Sequence, residues 1–199
     1  MPRTLAESSI MMLNLVLPLW IVLKSGGGLE ALRDRIAWRR YGIRTYGWAV
    51  VGLLLGFVAV PYGVSWLFGP SFPYGEGVAL RLPEDWPVLL LMVFLILVST
   101  LGEEVMFRGY IQTGLEEVYG PMRGVLIPVA LFSLRHLPAD LYWGQGASIF
   151  QWASRLVQIW SLAFVFGLVR LRSRSTVSTW VMHLLGYLTV IITNALNMV

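Results

Sequence analysis

The sequence contains no cysteine and only two histidines, His136 and His183, among 199 residues, and only 13% of its side chains are charged. Without cysteine there is no disulfide framework, no thiolate-bound zinc or iron–sulfur cluster, and no cysteine nucleophile. Any imidazole chemistry falls on His136 and His183. A soluble domain carries about a quarter of its residues as Asp, Glu, Lys or Arg, so the charge deficit excludes an ordinary soluble fold. What stands in place of charge is apolar: 57% hydrophobic residues and a mean hydropathy of +0.69. The expected class is an all-α polytopic transmembrane helical bundle, with the lipid bilayer as its first partner. The net charge of +4 does not point to nucleic acid, because Lys and Arg in short loops between apolar spans are the ordinary orientation signal of membrane proteins.

A spanning helix needs roughly 20 mostly apolar residues. Stretches of this kind lie at about residues 8–23, 46–67, 86–108, 122–137, 147–169 and 176–197, so about six spans are expected. The first competes with a signal peptide, but no small-x-small cleavage pattern directly follows it. Lys24, Arg33, Arg35, Arg39, Arg40 and Arg44 follow the first span, and Arg170, Arg172 and Arg174 follow the fifth. The loop after the second carries Arg81 against Glu76, Glu84 and Asp85. The positive-inside rule then places the loops after spans one, three and five in the cytoplasm and both termini outside it. Residues 26–44 interleave Leu, Ile and Trp with arginines, which suits either a short amphipathic helix on the inner surface or a solvated basic loop. The Pro/Gly-rich stretch 69–87 reads as an external loop. The expected organisation is two N-terminal spans with a basic loop at 1–85 and a core of four spans at 86–199.

Ionisable residues at bilayer depth are costly, so each is a functional candidate. Glu103 and Glu104 follow the apolar run 88–98, and Arg108 stands four residues after Glu104. Positions i and i+4 stack on one helical face, whereas adjacent residues point about 100° apart. Glu104 is therefore expected to pair with Arg108, and Glu103 to point elsewhere without a local cation, free to exchange a proton. If the third helix turns back at Gly120-Pro121, an antiparallel hairpin pairs positions whose numbers sum to about 240. Glu104 and His136 meet that condition. His183 lies about eight residues, roughly 12 Å, into the last helix, so the carboxylates, the arginine and both histidines converge at one depth. Such a set supports water activation, by carboxylate and imidazole directly or through a divalent metal that lowers the pKa of bound water. Two His plus a carboxylate is a permitted zinc set. On the fifth helix Gln151, Arg155 and Gln158 form one polar stripe, which lines a water or peptide path or makes interhelical hydrogen bonds.

At these residues the sequence resembles the CAAX-protease and bacteriocin-processing intramembrane proteases, which include the prenyl-protein-processing Rce1-type enzymes. Glu103-Glu104-Val105-Met106-Phe107-Arg108 resembles their Glu-Glu-x-x-x-Arg motif, and Phe132-Ser133-Leu134-Arg135-His136 their Phe-x-x-x-His. The third motif, His-x-x-x-Asn or Asp, corresponds to His183-Leu184-Leu185-Gly186-Tyr187, and its final position departs from the pattern. The resemblance implies that Glu103 activates water with help from His136, while Glu104 and Arg108 support it. It gives His183 the substrate carbonyl or the oxyanion, or, with zinc present, makes His136 and His183 metal ligands. It further implies a peptide or protein substrate at the membrane, a lipidated C-terminal peptide being the best-known case. Tyr187 can donate its hydroxyl to an oxyanion, but it is bulkier than Asn. The alternatives are therefore an endopeptidase, an inactive relative acting as a membrane scaffold or immunity-type binding protein, and a small transporter with Glu103 and Glu104 as proton relay.

Overall fold

The computed structural model describes residues 14–24, 28–39, 42–69 and 86–196. Among them every regular element is helical. Helix α1 covers Asn14–Lys24 and the short α2 Leu29–Arg35. Helices α3 (Ile43–Leu53) and α4 (Val60–Phe68) form one rod through a π-helical segment at Leu54–Ala59. A second rod joins α5 (Trp86–Glu103), a π-helical segment at Glu104–Ile111, and α6 (Gln112–Tyr119). Helices α7 (Pro121–Trp143), α8 (Ile149–Ser173) and α9 (Thr176–Leu196) complete the bundle. Helix is thus present at each of the six expected stretches, although residues 8–13 of the first and residue 197 of the last lie outside the described residues. Among the described residues, Ile43–Phe68, Pro121–Tyr142 and Ile149–Ser173 are long and apolar enough to cross a membrane. The expected external loop at 69–87 falls outside the description except for its ends.

The wide turn at Leu54–Ala59 stands immediately before Pro61. Proline has no N–H to give and its ring crowds the carbonyl four residues back, and a π-turn relieves that crowding. Gly52 and Gly56 on this rod let it press against its neighbours. A Cβ on Gly52 would lie 2.4 Å from Met182 Sδ, and one on Gly56 2.8 Å from a Leu162 methyl. Small residues four apart are how helices pack closely without a hydrophobic driving force between them.

The hairpin at Gly120-Pro121 forms as expected, with Gly120 at φ +82° closing α6 and Pro121 opening α7. Gly124 packs on Glu116, where a Cβ would lie 2.4 Å from the Glu116 side chain. Helix α7 runs past the expected end at residue 137, carrying Pro128 and Pro138 inside it. His136 accordingly lies within α7 and not at its end. Helix α8 starts on a capping box between Ser148 and Gln151 and stops at Arg174 in the left-handed conformation.

Of the two forms expected for the basic segment after α1, the short helix is present as α2, and the residues after it are not a freely solvated loop. The helical part is seven residues, and the chain beyond it inserts between the second rod and the turn from α8 to α9. The Ala37 carbonyl accepts from the Thr176 backbone N–H at 3.0 Å and the Ile36 carbonyl from the Thr176 hydroxyl at 2.6 Å. Ser175 donates its hydroxyl to the Arg39 carbonyl, and the Trp38 and Trp180 rings lie 5.7 Å apart. Gly109 makes room for this strap, since a Cβ there would sit 2.8 Å from the Ile36 carbonyl oxygen.

Two buried clusters hold the bundle together. Phe107, Val125, Val129, Phe132 and Ala163 form one, and Ala49, Phe166, Val169 and Met182 the other. The Arg108 guanidinium lies between them, with its carbon 4.4 Å from the centre of the Phe132 ring and 4.9 Å from that of Phe166.

Candidate active site

The two carboxylates sit where the second rod changes from α to π geometry. Glu103 is the last residue of α5 and Glu104 the first of the π segment. No proline accounts for this wide turn, and π-turns inside helices are frequent at functional sites. Glu104 and Arg108 are fully or almost fully buried, and Glu103 is 6% exposed. Burial of both neighbouring carboxylates requires each to be compensated by a charge or hydrogen bond from another helix.

Glu104 finds two such partners. Its Oε1 accepts from His183 Nδ1 at 2.9 Å, and Arg108 Nη1 stands 3.6 Å away as an ion pair. The expected pairing with Arg108 is present, but the wide turn holds it beyond hydrogen-bond length, and His183 from α9 is the closer group. Arg108 donates through Nη2 to the Ala163 carbonyl at 3.4 Å. A carboxylate on Nδ1 fixes the imidazole tautomer and leaves Nε2 for other work. The His183 ring packs edge-on against Phe166 at 5.0 Å and stacks on Tyr187 at 5.4 Å. Tyr187 thus shares the His183 face of α9, as the four-residue spacing requires.

Glu103 is not without a cation. As expected it has none on its own helix, but Arg135 Nη2 reaches from α7 to its Oε1 at 2.8 Å. Arg135 was legible only through the hairpin register, which sets α7 residues near 137 opposite Glu103. Its neighbour His136 donates from Nδ1 to the Phe132 carbonyl at 2.9 Å, and its ring lies 4.6 Å from that of Phe132. His136 and His183 are both within electrostatic range of Glu103. The structure therefore gathers Glu103, Glu104, Arg108, His136, His183 and Tyr187 into one region, and adds Arg135. Of the α8 stripe, Gln151 takes part in the helix cap and Arg155 makes an interhelical pair with Asp140 of α7 at 3.2 Å.

A family model described as type II CAAX prenyl endopeptidase Rce1-like matches residues 85–189, more than half of the chain and inclusive of every residue just named from Glu103 to Tyr187. The chain belongs to this Rce1-like family. Neither the curated proteins nor the solved structures provide a match. With apolar helices long enough to span, this Rce1-like protein is an integral membrane protein of a peptidase family.

The donor geometry bears on a metal in the Rce1-like site. His136 and His183 each commit Nδ1 to an oxygen, Glu103 is bound by a guanidinium, and Glu104 by an imidazole and a second guanidinium. Among the described residues no three His, Asp or Glu side chains are grouped to hold an ion. Zinc takes at least three protein ligands in catalytic sites. Nε2 of each histidine stays open, as in metal sites whose ligand imidazoles are oriented by an oxygen on Nδ1, but no third ligand is grouped with them among the described residues.

Proposed function

We propose that the protein is an intramembrane endopeptidase of the CAAX prenyl protease type, which hydrolyses a peptide bond with water activated by Glu103. The observation that carries this reading is the Glu104–His183 pair at 2.9 Å standing beside a second, separately held carboxylate. The two carboxylates have different partners and hence different duties. Glu104, buried with Arg108, orients His183, while Glu103 keeps its second oxygen beyond the Arg135 contact.

In this mechanism Glu103 takes a proton from water, with His136 Nε2 as the assisting base, and the water oxygen bonds to the scissile carbonyl carbon. The carbonyl oxygen gains charge and is met by His183 Nε2 and the Tyr187 hydroxyl. The C–N bond then breaks, and the proton held by Glu103 passes to the departing amine nitrogen. One water is consumed and one acid and one amine are released. The substrate is a peptide or protein presented at the membrane, lipidated in the case that the family's name describes.

The basic loops favour an orientation with both termini outside the cytoplasm, and a division into two N-terminal spans at 1–85 and a catalytic core at 86–199. Purified protein in detergent with a lipidated, quenched fluorescent peptide tests the function. Glu103→Gln removes the base and should cost about 10²- to 10⁴-fold in rate. Equal cleavage by the variant overturns the reading. A second reading, an inactive scaffold or immunity-type relative, rests on one observation: Tyr187, stacked on His183, occupies the position where the related motif carries an amide or acid. It gains if the unaltered chain cleaves no peptide while Tyr187→Asn does.

A further inference from the structure

Polar side chains follow one another at four-residue steps from the site along the second rod: Glu104, Arg108, Gln112 and Glu116. The first three are 0%, 2% and 0% exposed. They face a row on α8 whose small residues bare the backbone. Arg108 donates to the Ala163 carbonyl, and Gln112 Nε2 donates to the Gly167 carbonyl at 3.0 Å and to Glu116 Oε1 at 2.7 Å. Arg170, the next on that face, donates to Glu116 Oε2 at 2.8 Å and to the Thr113 hydroxyl at 2.6 Å. Glu116, Thr113 and Arg170 also line a cavity of about 660 Å³ at this end of the bundle, together with Arg35 and Glu117. The row thus leads, one helical turn at a time, from that cavity to the Glu104–His183 pair.

Three atoms on the row are buried with no hydrogen-bond partner in the protein: Glu104 Oε2, Arg108 Nη1 and Gln112 Oε1. Buried polar atoms are nearly always paired, and ordered water serves those that the protein does not. An acceptor, a donor and an acceptor in succession suit a file of waters. Phe132 and Phe166 close the row sideways at Arg108, so water there has the long axis of the row as its route.

We propose that this row is a water file that feeds the reaction centre from the cavity at Glu116 and Arg170, with Gln112 as its neutral gate. The inference rests on the hydrolase reading, because each turnover consumes a water that lipid cannot supply. Gln112 is a positioning residue in this scheme: its amide hands water on and touches no substrate. Glutamine suits the place because Nε2 anchors it to Gly167 and Glu116 while Oε1 is left to accept from water, and it carries no charge to trap an ion.

Hydroxyl-radical footprinting in ¹⁸O-water reads the file directly. Phe132 and Phe166, only 7% and 3% exposed, should take up label, while Met182, fully buried against Gly52 and Gly56, should not. Gln112→Leu should cut the label on both rings and lower kcat severalfold with KM unchanged, and Gln112→Asn, which keeps the amide, should restore both. Unlabelled Phe132 and Phe166 in the unaltered protein, or undiminished label in a folded Gln112→Leu, overturns the file. If Gln112→Leu does not fold, the label on the unaltered protein decides alone. Labelled rings in a chain that cleaves no peptide would remove the hydrolase reading and leave the file standing.

Discussion

The Glu104–Arg108 pair offers the sharpest quantitative check, through a double-mutant cycle in detergent. Arg108→Met keeps much of the volume between Phe132 and Phe166 but removes the guanidinium, leaving the fully buried Glu104 carboxylate with His183 alone. Stripping one partner from a buried ion pair costs about 3–5 kcal/mol, and the lost stacking on two rings adds roughly 1 kcal/mol. Glu104→Gln keeps an acceptor for His183 and strands Arg108, at a cost of about 1–3 kcal/mol. With both changes no charge is left uncompensated. The double variant should then lose only about 1–2 kcal/mol, because replacing a buried pair as a whole is often nearly neutral. The expected coupling is therefore at least about 2 kcal/mol, well above the scatter of independent sites. Reversible unfolding in mixed micelles, followed by tryptophan fluorescence, measures all four corners. Additive losses, or an Arg108→Met cost below about 1 kcal/mol, would refute the claim that the pair is held at low dielectric and compensates itself.

Three other outcomes follow from the same geometry. Tyr187→Asn should keep cleavage within about tenfold, since a side-chain amide can serve an oxyanion as a hydroxyl does; complete loss would show that Tyr187 itself is required. Prolonged chelation should leave cleavage unchanged, and loss of activity that zinc alone restores would replace the Glu103 mechanism with a metal one. Gly186→Ala puts a methyl 2.2–2.6 Å from three atoms of the Phe57 ring, an overpacking that should lower stability by about 1–3 kcal/mol. A thermal midpoint equal to that of the unaltered chain would show that Phe57 is not tightly held.

Much of the site was legible because helices are regular. The turn at Gly120-Pro121 sets the register of the rods, and observed neighbours obey it: Gly124 on Glu116, Phe132 on Phe107 with rings 5.3 Å apart, Arg135 on Glu103. Each pair sums to about 240, as a straight antiparallel hairpin demands. The local face rule gave the Glu104–Arg108 pair but not its length, 3.6 Å. It assumes 3.6 residues per turn, and the π segment from Glu104 to Ile111 departs from that with no proline in the sequence to announce it. The apolar stretch ends near residue 137, whereas the helix continues through Pro138 to Trp143. The strap from Ile36 to Arg39 was likewise beyond reach, because its partners Gly109, Ser175 and Thr176 are distant in sequence.

The sequence alone determined the solvent, the helical class and the cast of chemical groups. A chain with 13% charge and no cysteine can satisfy its backbone in lipid by helices and has no thiol with which to act, so its nucleophile falls to water or a hydroxyl. Only the tertiary structure decided who partners whom. Glu104 goes to His183, 79 residues away, and Glu103 to Arg135, because a buried charge takes the compensation that packing brings within reach, and packing joins helices that composition and spacing leave apart.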